Sequence, residues 1–188
     1  MGKLIIYAHP GTKAHCPIIL DEVKKTLTDS KEEFKVLDLY KLSYNPVLRY
    51  EEHYTAGQRD ITPENKKYQE LIKENDLIII YPIWWGSMPA ILKGFIDRVF
   101  TSKFAFEYKN GLPVGLLKNK KALVFVTSGA PTFFSRIFQG AVSNIKKEIL
   151  GFCGIKTKVV QFGSLKKFDV KYVDKLKAKV RKTVKSFL

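Results

Sequence analysis

The chain has 188 residues, 45% of them hydrophobic, which is enough to bury the core of one domain, and no apolar run reaches the ~18 to 20 residues that cross a bilayer. We therefore expect a soluble protein, and we find no leader pattern that would direct it out of the cytoplasm. The net charge of +15 favours phosphorylated substrates or anionic surfaces, but zinc-knuckle and helix-turn-helix patterns are missing and nucleic acid is not an expected partner. Two cysteines, Cys16 and Cys153, indicate a reducing compartment and form no metal-binding pattern with the three histidines.

The chain begins with a pattern typical of a phosphate site. Residues 3–8 predict a buried strand, residues 9–15 a polar loop, and a helix is predicted from Cys16 and Pro17. Backbone N–H groups at such a helix start attract anions. The GxGxxG fingerprint and the GxxxxGK[ST] P-loop are missing, so neither a dinucleotide Rossmann site nor an ATPase follows. Cys16 has no paired base, and we expect a structural or backbone-contact role for it.

A second strand and a long polar loop follow. Residues 34–40 alternate as a strand, whereas residues 41–60 are polar, rich in tyrosine and without periodicity. A loop of this length is usually functional or mobile, so we expect a cover over the substrate or a dimer contact. The Thr-Pro-Glu sequence at 62–64 then predicts the N-cap and first turn of a helix that ends at about Asn75.

The central stretch of the chain carries two adjacent tryptophans. Residues 77–81 predict a buried strand, and Ser87 and Pro89 predict the cap and first turn of the helix after it. Between them, Trp84 and Trp85 occupy a tight turn. Adjacent indoles are either core side chains or the walls of a site for a flat ring. Because the turn follows the carboxyl end of a central strand, where open α/β sheets bind ligands, we favour the aromatic-ring site.

The second half of the chain repeats the alternation of strand, loop and helix. Residues 120–126 predict a fourth strand, which runs into a polar, glycine-containing loop at 127–131 and then a helix to about Phe152. Residues 156–162 predict a fifth strand, and a last amphipathic helix begins at Asp169. The second half therefore supplies another loop of the kind that follows the first and third strands.

An irregular, aromatic segment separates the third helix from the fourth strand. Residues 101–120 show no helical period and contain an Asn-Gly turn at 110–111. Phe104, Phe106 and Tyr108 alternate in this segment. The alternation predicts an extended stretch with one aromatic face.

The last predicted helix is strongly basic. It carries Lys171, Lys175, Lys177, Lys179, Arg181, Lys182 and Lys185. Such a run is either a solvated face or a surface for an anionic partner. The sequence leaves both interpretations open.

Five alternations of strand and helix predict a parallel sheet covered by helices on both faces, which is an α/β three-layer sandwich. The flavodoxin-like strand order 2-1-3-4-5 places strands one, three and four side by side and brings their loops to one crevice. One mononucleotide could then meet all three loops, with its phosphate on the first loop and its flat ring between the other two. We find no linker or internal repeat, and we expect residues 1–188 to form a single flavodoxin-like domain.

Four segments carry a resemblance to a known family. They are YAHP at 7–10, PIWWGSMPAILKGFIDRVF at 82–100, KFAF at 103–106 and TSGAP at 127–131. Together they resemble the flavodoxin-like NAD(P)H:quinone oxidoreductases, which include mammalian DT-diaphorase, short bacterial relatives and the ancillary oxidoreductases of potassium efflux systems. The resemblance implies a tightly bound flavin, NAD(P)H as hydride donor, a quinone-type acceptor and a homodimer with active sites at the subunit interface. FMN is the expected flavin, because the chain lacks the C-terminal extension of the mammalian enzymes, and FAD is the alternative.

The resemblance also assigns site residues. The cofactor-binding set is His9, His15 and Cys16 around the flavin phosphate, Pro82, Ile83, Trp84, Trp85 and Gly86 along the ring system, and Thr127, Ser128, Gly129 and Ala130 at its other edge. Separately from the resemblance, we expect Phe106 and Tyr108 to edge the substrate pocket, where Tyr108 is the candidate proton donor and catalytic residue; a packing role for both residues is the alternative. The chain departs from the family in two places. Ala14 and Cys16 stand where the family has Ser and Asn, and Thr132-Phe133-Phe134-Ser135-Arg136 stands where DT-diaphorase has a relay Tyr and a nearby His.

The mechanism that the resemblance implies is a ping-pong reaction, in which NAD(P)H passes a hydride to the flavin and leaves before a quinone accepts it. A flavodoxin-type electron carrier is the first alternative. Carriers of that type dock through acidic surfaces, so the net charge of +15 argues against it. The second alternative is a regulatory or ancillary subunit of a membrane transporter, which the basic last helix would suit.

Overall fold

The computed structural model describes residues 2–53, 60–134, 140–165 and 169–188. The strands are β1 (Lys3–Tyr7), β2 (Phe34–Asp38), β3 (Asp76–Pro82), β4 (Phe106–Lys109), β5 (Leu112–Gly115), β6 (Lys121–Thr127) and β7 (Lys156–Phe162). Five of them form a parallel sheet in the order β2-β1-β3-β6-β7, and β4 and β5 form a separate antiparallel pair. With that pair set aside, the order is the predicted 2-1-3-4-5, and the prediction of a flavodoxin-like parallel sheet is confirmed.

Helices cover both faces of this sheet. They are α1 (His15–Asp29), α2 (Pro63–Glu74), α3 (Ala90–Val99), the short α4 (Ala141–Ser143), which continues as a π-helix (Asn144–Gly151), and α5 (Val170–Lys185). Gly154, with φ +86°, follows the π-helix, near the helix end that the sequence predicts at about Phe152. In the part of the chain that the structure describes, no helix is both long and apolar enough to cross a membrane.

The core has two halves, one on each face of the sheet. Along β3, Leu77, Ile79 and Tyr81 join the half under α2, α3 and the π-helix, whereas Ile78 and Ile80 join the half under α1 and α5. Successive side chains of a strand point to opposite faces, so a strand that is buried on both sides has an unbroken apolar sequence. Each fully buried aliphatic side chain contributes about 1.5–3 kcal/mol to folding. The uncharged run in β3 therefore locates the centre of the molecule.

The register of the strands brings the ligand-type loops to one edge. Tyr7, the last residue of β1, pairs with Ile80 of β3, and β3 continues to Pro82, which pairs with Thr127 at the end of β6. Thr127 in turn pairs with Phe162 at the end of β7. The loops that follow β1, β3 and β6 therefore leave the sheet side by side, as the sequence predicts.

One of the predicted helix caps is wrong. Thr62 caps α2 as expected, since its hydroxyl accepts a hydrogen bond from the Asn65 N–H at 3.2 Å. Ser87, by contrast, does not cap α3, which begins at Ala90 after Pro89 and has no side-chain cap. The backbone of Ser87 is used in a tight turn with Trp84 instead, so the helix begins later than the sequence indicates.

The segment predicted to be irregular contains a β-hairpin. β4 and β5 are joined by Asn110 and Gly111, both with positive φ, which is the conformation that two-residue hairpin turns require. The hairpin packs closely on the end of the π-helix, because a Cβ on Gly115 would lie 2.4 Å from the Cys153 carbonyl carbon. The prediction of an irregular stretch was therefore wrong, although the alternating aromatics and the Asn-Gly turn both indicated the hairpin.

The described part of the long loop after β2 is fixed by a buried ion pair. Arg98 of α3 donates to both carboxylate oxygens of Glu52, at 2.8 to 3.1 Å, and both side chains are only 5% exposed. Arg98 also donates to the Asn45 carbonyl and lies over the ring of Tyr44, 5.4 Å from its centroid. Asn65 of α2 completes the network by donating to Glu52 at 3.1 Å. Residues 54–59 lie outside the described residues, so the predicted substrate cover stays a prediction.

We expect Glu52→Gln to lower the free energy of unfolding by about 3 kcal/mol, because the buried guanidinium of Arg98 loses its counter-charge. Urea denaturation measures this change. Glu51→Gln is the control, since Glu51 is an exposed neighbour and its replacement should cost less than about 0.5 kcal/mol. An equal loss in both variants would contradict the role of the ion pair.

The same pair gives stability a pH dependence. Burial raises the pKa of the Glu52 carboxyl, but hydrogen bonding and the charge of Arg98 outweigh burial and hold the pKa below its ordinary value. The contribution of Glu52 is therefore complete above the ordinary glutamate pKa and is lost as the pH falls through the lowered pKa of the folded state. Thermal melts across that acidic range should show a steeper loss of stability in the wild type than in Glu52→Gln.

Candidate functional site

Three loops meet at the carboxyl edge of the sheet. The rings of His9, after β1, and Trp84, after β3, lie 6.0 Å apart. The Ile83 N–H donates to the Thr127 carbonyl at 2.7 Å, which joins the loop after β3 to the end of β6. The Cys16 Sγ and Thr127 Oγ1 atoms lie 3.3 Å apart, so the start of α1 is held against β6 as well. The predicted cofactor residues therefore come together from three separate segments.

The tryptophan turn presents its indoles to the surface. The backbones of Trp84 and Ser87 exchange two hydrogen bonds of 2.9 Å, and the residues between them, Trp85 and Gly86, have φ of +50° and +74°. Trp84 is 40% exposed and Trp85 is fully exposed, so the core interpretation of these two side chains does not hold. A non-glycine residue in this conformation costs about 1–3 kcal/mol. The turn therefore holds a bulky ring in an unfavourable backbone conformation with no packing to offset the cost.

The start of α1 is open to an anion. Its N-cap residue is Ala14, which has no side chain that could accept a hydrogen bond, and the first turn contains no acidic residue. The first N–H groups of a helix have no acceptor within the helix, and the helix dipole places positive potential at this end. This end of α1 is therefore suited to hold a phosphate group.

The side chains of His15 and Cys16 point into the protein. His15 is 9% exposed and packs edge-on against Tyr172 of α5, with ring centroids 5.7 Å apart. Cys16 is 1% exposed and contacts Thr127. Burial raises the pKa of the Cys16 thiol to about 12, although the hydrogen bond with Thr127 lowers it slightly. These two residues can therefore offer a ligand their backbone, whereas their side chains fix α1 to its neighbours.

The loop after β6 is braced from behind by β7. The Ser128 N–H donates to the Phe162 carbonyl at 2.9 Å, and the Ser128 hydroxyl donates to the Ala130 carbonyl at 2.9 Å while it accepts from Gln161 at 3.1 Å. Gly129, in contrast, faces open space, since a Cβ there would meet no atom within 4 Å. The polar side chain of this loop is used internally, and the open side at Gly129 is available to a ligand.

The predicted substrate-pocket residues lie in a different place. Phe106 lines a cavity of about 290 Å³ on the α3 and π-helix side, together with Leu48, Glu52, His53, Ile96, Asp97, Phe100, Thr101, Ser102, Glu148, Ile149, Phe152 and Cys153. None of these residues belongs to the three loops. Tyr108 is 64% exposed on the same hairpin, with its ring 6.0 Å from that of Phe106. Among the described residues, the cavity around Phe106 therefore includes none from the loop that carries the two tryptophans.

The sequence missed part of this aromatic cavity. Phe152 contacts Phe106 with ring centroids 5.0 Å apart, and Phe100 also lines the cavity. Both phenylalanines stand at helix ends, where the sequence gives no periodic signal for a pocket. Residues 132–136 stand where DT-diaphorase has its relay Tyr and nearby His. Ser135 and Arg136 of this segment lie outside the described residues.

The comparisons with known proteins agree with this geometry. Residues 1–184 match the family described as having a flavodoxin-like fold. An FMN-dependent NADH:quinone oxidoreductase of Clostridium perfringens is 32% identical over 170 residues, which cover 88% of this chain and 84% of that protein. The chain belongs to the flavodoxin-like NAD(P)H:quinone oxidoreductase family. The family and the class of enzyme predicted from the sequence are therefore confirmed.

Two further relatives extend the family match. An uncharacterized NAD(P)H oxidoreductase of Haemophilus influenzae is 37% identical over 132 residues, which cover 69% of this chain and 65% of that protein. The chain thus spans slightly less than two thirds of that relative. The crystal structure of Smu.1420 from Streptococcus mutans is 36% identical, with a TM-score of 0.88, and the match covers 99% of this chain and 100% of that one. This chain therefore shares its architecture with that solved structure over nearly its full length.

The residues at the carboxyl edge fit a flavin mononucleotide. The uncapped start of α1 suits its phosphate, and the exposed indoles of Trp84 and Trp85 offer flat apolar surface for its ring system. The open space at Gly129 lets a planar group approach the backbone of the loop after β6. These features lie on loops that contact one another, so they can act on a single ligand.

We expect both thiols to be unreactive in the folded protein. Burial raises the pKa of Cys16 to about 12, and burial also raises that of Cys153 to about 12. Since the thiolate is the reactive form, neither should react with Ellman's reagent near neutral pH, and both should react after unfolding in guanidinium. A thiol that reacts rapidly in the native protein would contradict the inward orientation of Cys16 or the burial of Cys153.

The strained turn allows a second prediction. Trp85→Asn should raise the free energy of unfolding of the cofactor-free protein by about 1 kcal/mol, because asparagine tolerates positive φ and Asn-Gly is a favoured turn pair. Trp85→Ala is the control, since it removes the same indole and keeps the unfavourable conformation. Equal stability of the two variants in urea denaturation would show that the turn is not strained.

Proposed function

We propose that this protein is an FMN-dependent NAD(P)H:quinone oxidoreductase with a ping-pong mechanism. The observation that carries the proposal is the convergence, at one sheet edge, of an uncapped helix start, two exposed indoles and an open glycine loop. The Clostridium perfringens relative that is named FMN-dependent supports FMN in preference to FAD. The exposed tryptophans also favour a flat ligand, because large apolar side chains are rarely left uncovered at a loop.

Each loop has a distinct part in holding the cofactor. The backbone of Ala14 to Cys16 would hold the phosphate, and the His9 ring, 6.0 Å from that of Trp84, would close that side of the site. The residues from Pro82 to Gly86 would face the isoalloxazine, for which Trp84 and Trp85 offer stacking surface. The residues from Thr127 to Ala130 would hold its opposite edge, mainly through their backbone.

FMN, when bound, would supply the hydride-transfer chemistry between NAD(P)H and a quinone, and we propose that the two substrates use the site in turn. The chain's own contribution is position and exclusion of water. Donor and acceptor atoms react when they are held about 3–3.5 Å apart in the right orientation, and the rigid attachment of the loops to the sheet provides that constraint. Backbone N–H groups of the loop after β3 are suited to stabilise negative charge on a ligand at that edge.

A homodimer would complete the site. Phe106 and Tyr108 are the predicted substrate-pocket residues, yet in one chain Phe106 lines a cavity that contains none of the loop residues. A second copy can present its aromatic hairpin to the tryptophan turn of the first. The large exposed fraction of Tyr108, 64%, and of Leu112, 70%, supports such a contact, since both lie on that hairpin.

A flavodoxin-type electron carrier is the weaker alternative. Carriers of that class dock through acidic surfaces, whereas this chain has 33 lysines and arginines and only 18 aspartates and glutamates. Steady-state oxidation of NADH or NADPH in the presence of a soluble quinone separates the two functions. A protein that binds FMN and does not oxidise either nucleotide would be a carrier.

The cofactor proposal is tested by reconstitution with FMN. We expect the wild type to retain FMN through gel filtration and Trp84→Ala/Trp85→Ala to bind it at least tenfold more weakly. Replacing an aromatic side chain that stacks on a planar ring costs about 1–3 kcal/mol of binding free energy per contact. Leu188→Ala is the control, since Leu188 is 42% exposed beyond the end of α5, where Ser186 contacts Lys158 near the amino end of β7 and away from the three loops. Equal FMN affinity in all three proteins would exclude the stacking role of the tryptophans.

The dimer proposal predicts subunit complementation. Trp84→Ala/Trp85→Ala and Tyr108→Ala chains should each be nearly inactive alone. When the two are co-expressed and pair at random, about half of the dimers are mixed, and a mixed dimer contains one intact site of two. Co-expression should therefore restore about a quarter of the wild-type activity. If Tyr108 acts within its own subunit, co-expression restores nothing. Tyr108→Phe should retain FMN while lowering kcat by about 100-fold if the phenol donates a proton.

A further inference from the structure

The basic face of α5 differs from the charged surfaces of α1, α2 and α3. On those three helices, exposed lysines have a carboxylate three or four residues away, as in Lys25–Asp29, Lys73–Glu70 and Lys93–Asp97, with distances of 2.7 to 2.8 Å. Such pairs are typical of a solvated face with mixed signs. On α5, Asp174 lies three residues from Lys171 and from Lys177, and the other lysines of the helix have no carboxylate at this spacing within it.

The cations of α5 have few acidic neighbours. The helix carries seven lysines and arginines and one acidic residue, Asp174. Arg181 is paired with Glu22 of α1 at 2.8 Å, and no ion pair with a described carboxylate joins Lys171, Lys175 or Lys182. These three lysines therefore concentrate positive potential on the outer side of the helix.

The lysines also repel one another. Lys171 and Lys175 are four residues apart, and Lys182 and Lys185 are three apart, so like charges are neighbours on the helix surface. This arrangement disfavours the isolated helix. An anionic partner would remove the repulsion, whereas water and salt only screen it.

The positive surface continues onto the edge strand. β7 is the outermost strand of the sheet, and Lys156 and Lys158 on it are exposed. The Lys158 Nζ donates to the Ser186 Oγ at 3.1 Å, just beyond the end of α5, so strand and helix form one surface. We call the exposed group Lys156, Lys158, Lys171, Lys175, Lys182 and Lys185 the lysine face. With 16 residues and a rise of 1.5 Å per residue, α5 alone gives this face a length of about 24 Å.

We propose that the lysine face docks onto the surface of an anionic lipid bilayer. Its charges are ammonium groups on flexible stems, spread over a helix that lies flat on the sheet, which suits diffuse negative charge in a plane. Val170, 76% exposed, adds an apolar group at one end of the face, as interfacial helices commonly do. Sequence-specific recognition of nucleic acid is disfavoured, because α5 contains no asparagine or glutamine to contact bases and its arginine is paired with Glu22.

The face is compatible with the proposed dimer. The aromatic cavity around Phe106 belongs to the core half under α2, α3 and the π-helix, whereas α5 covers the opposite side of the sheet. A second copy seated on the hairpin would therefore leave α5 exposed. The docking proposal does not depend on the redox activity and can be tested separately.

The first test uses the full chain with sedimented vesicles. We expect the protein to bind vesicles of phosphatidylcholine mixed with phosphatidylglycerol, and not vesicles of phosphatidylcholine alone. Raised salt should release it, because exposed charges are screened over a few ångströms at high ionic strength. Equal binding to both vesicle types, or binding that salt does not weaken, would overturn the proposal.

The second test assigns the binding to the lysine face. The variant Lys171→Gln/Lys175→Gln/Lys182→Gln should show a partition coefficient about 100-fold lower than the wild type, at about fivefold per lysine. The variant Lys66→Gln/Lys67→Gln/Lys147→Gln makes the same change of charge at exposed positions on α2 and the π-helix, and should bind as the wild type does. Circular dichroism and the FMN-binding assay check that both variants fold.

Two outcomes of this comparison would overturn the proposal. One is equal loss in the two variants, which would show that only net charge matters. The other is displacement of the protein from vesicles by a short DNA duplex with an affinity that depends on the same three lysines, which would assign the face to nucleic acid.

Discussion

The structure depends on the parallel register that ends β1, β3 and β6 at one edge of the sheet. Hydrogen bonds hold neighbouring strands about 4.8 Å apart, so the first residues of the loops that leave these strands are held at the same spacing. The Ile83 N–H to Thr127 carbonyl bond, at 2.7 Å, extends this pairing one residue beyond β3. The loops are therefore extensions of rigid strands, and the site that they form needs no conformational change to assemble.

The same register explains why the site tolerates unfavourable local features. Trp85 has a positive φ and Ala14 leaves the start of α1 without a side-chain cap, and each of these destabilises its own segment. The core on both sides of β3 supplies enough buried apolar surface to hold them in place. Strain and missing caps that coincide at one edge of a well-packed sheet are typical of a binding site, since they leave polar backbone and flat side chains available to a ligand.

Sequence reasoning located the fold and the loops, because both follow from local patterns. The apolar run of β3 and the glycine-containing loops carry their signals within a few residues. Three features could not be predicted in this way. The Glu52–Arg98 pair joins residues 46 positions apart, the aromatic cavity gathers Phe106, Phe100 and Phe152 from separate segments, and the inward orientation of His15 depends on Tyr172 of α5. Ser87 was misread as a cap because a serine before a helix and a serine in a tight turn look alike in sequence.

Helix α3 links the tryptophan turn to the buried ion pair. It begins three residues after Ser87, and Arg98 lies eight residues after its first residue, Ala90, so about 12 Å of helix separates the turn from the ion pair. Gly94 lies between them at a point where any Cβ would overlap Pro46, which leaves the helix no freedom to slide. An inserted residue in α3 would rotate Arg98 by about 100° away from Glu52 while leaving the turn unchanged. Length variation is therefore forbidden in this helix, whereas the Asn110-Gly111 turn, where nothing lies near the glycine, has space for it.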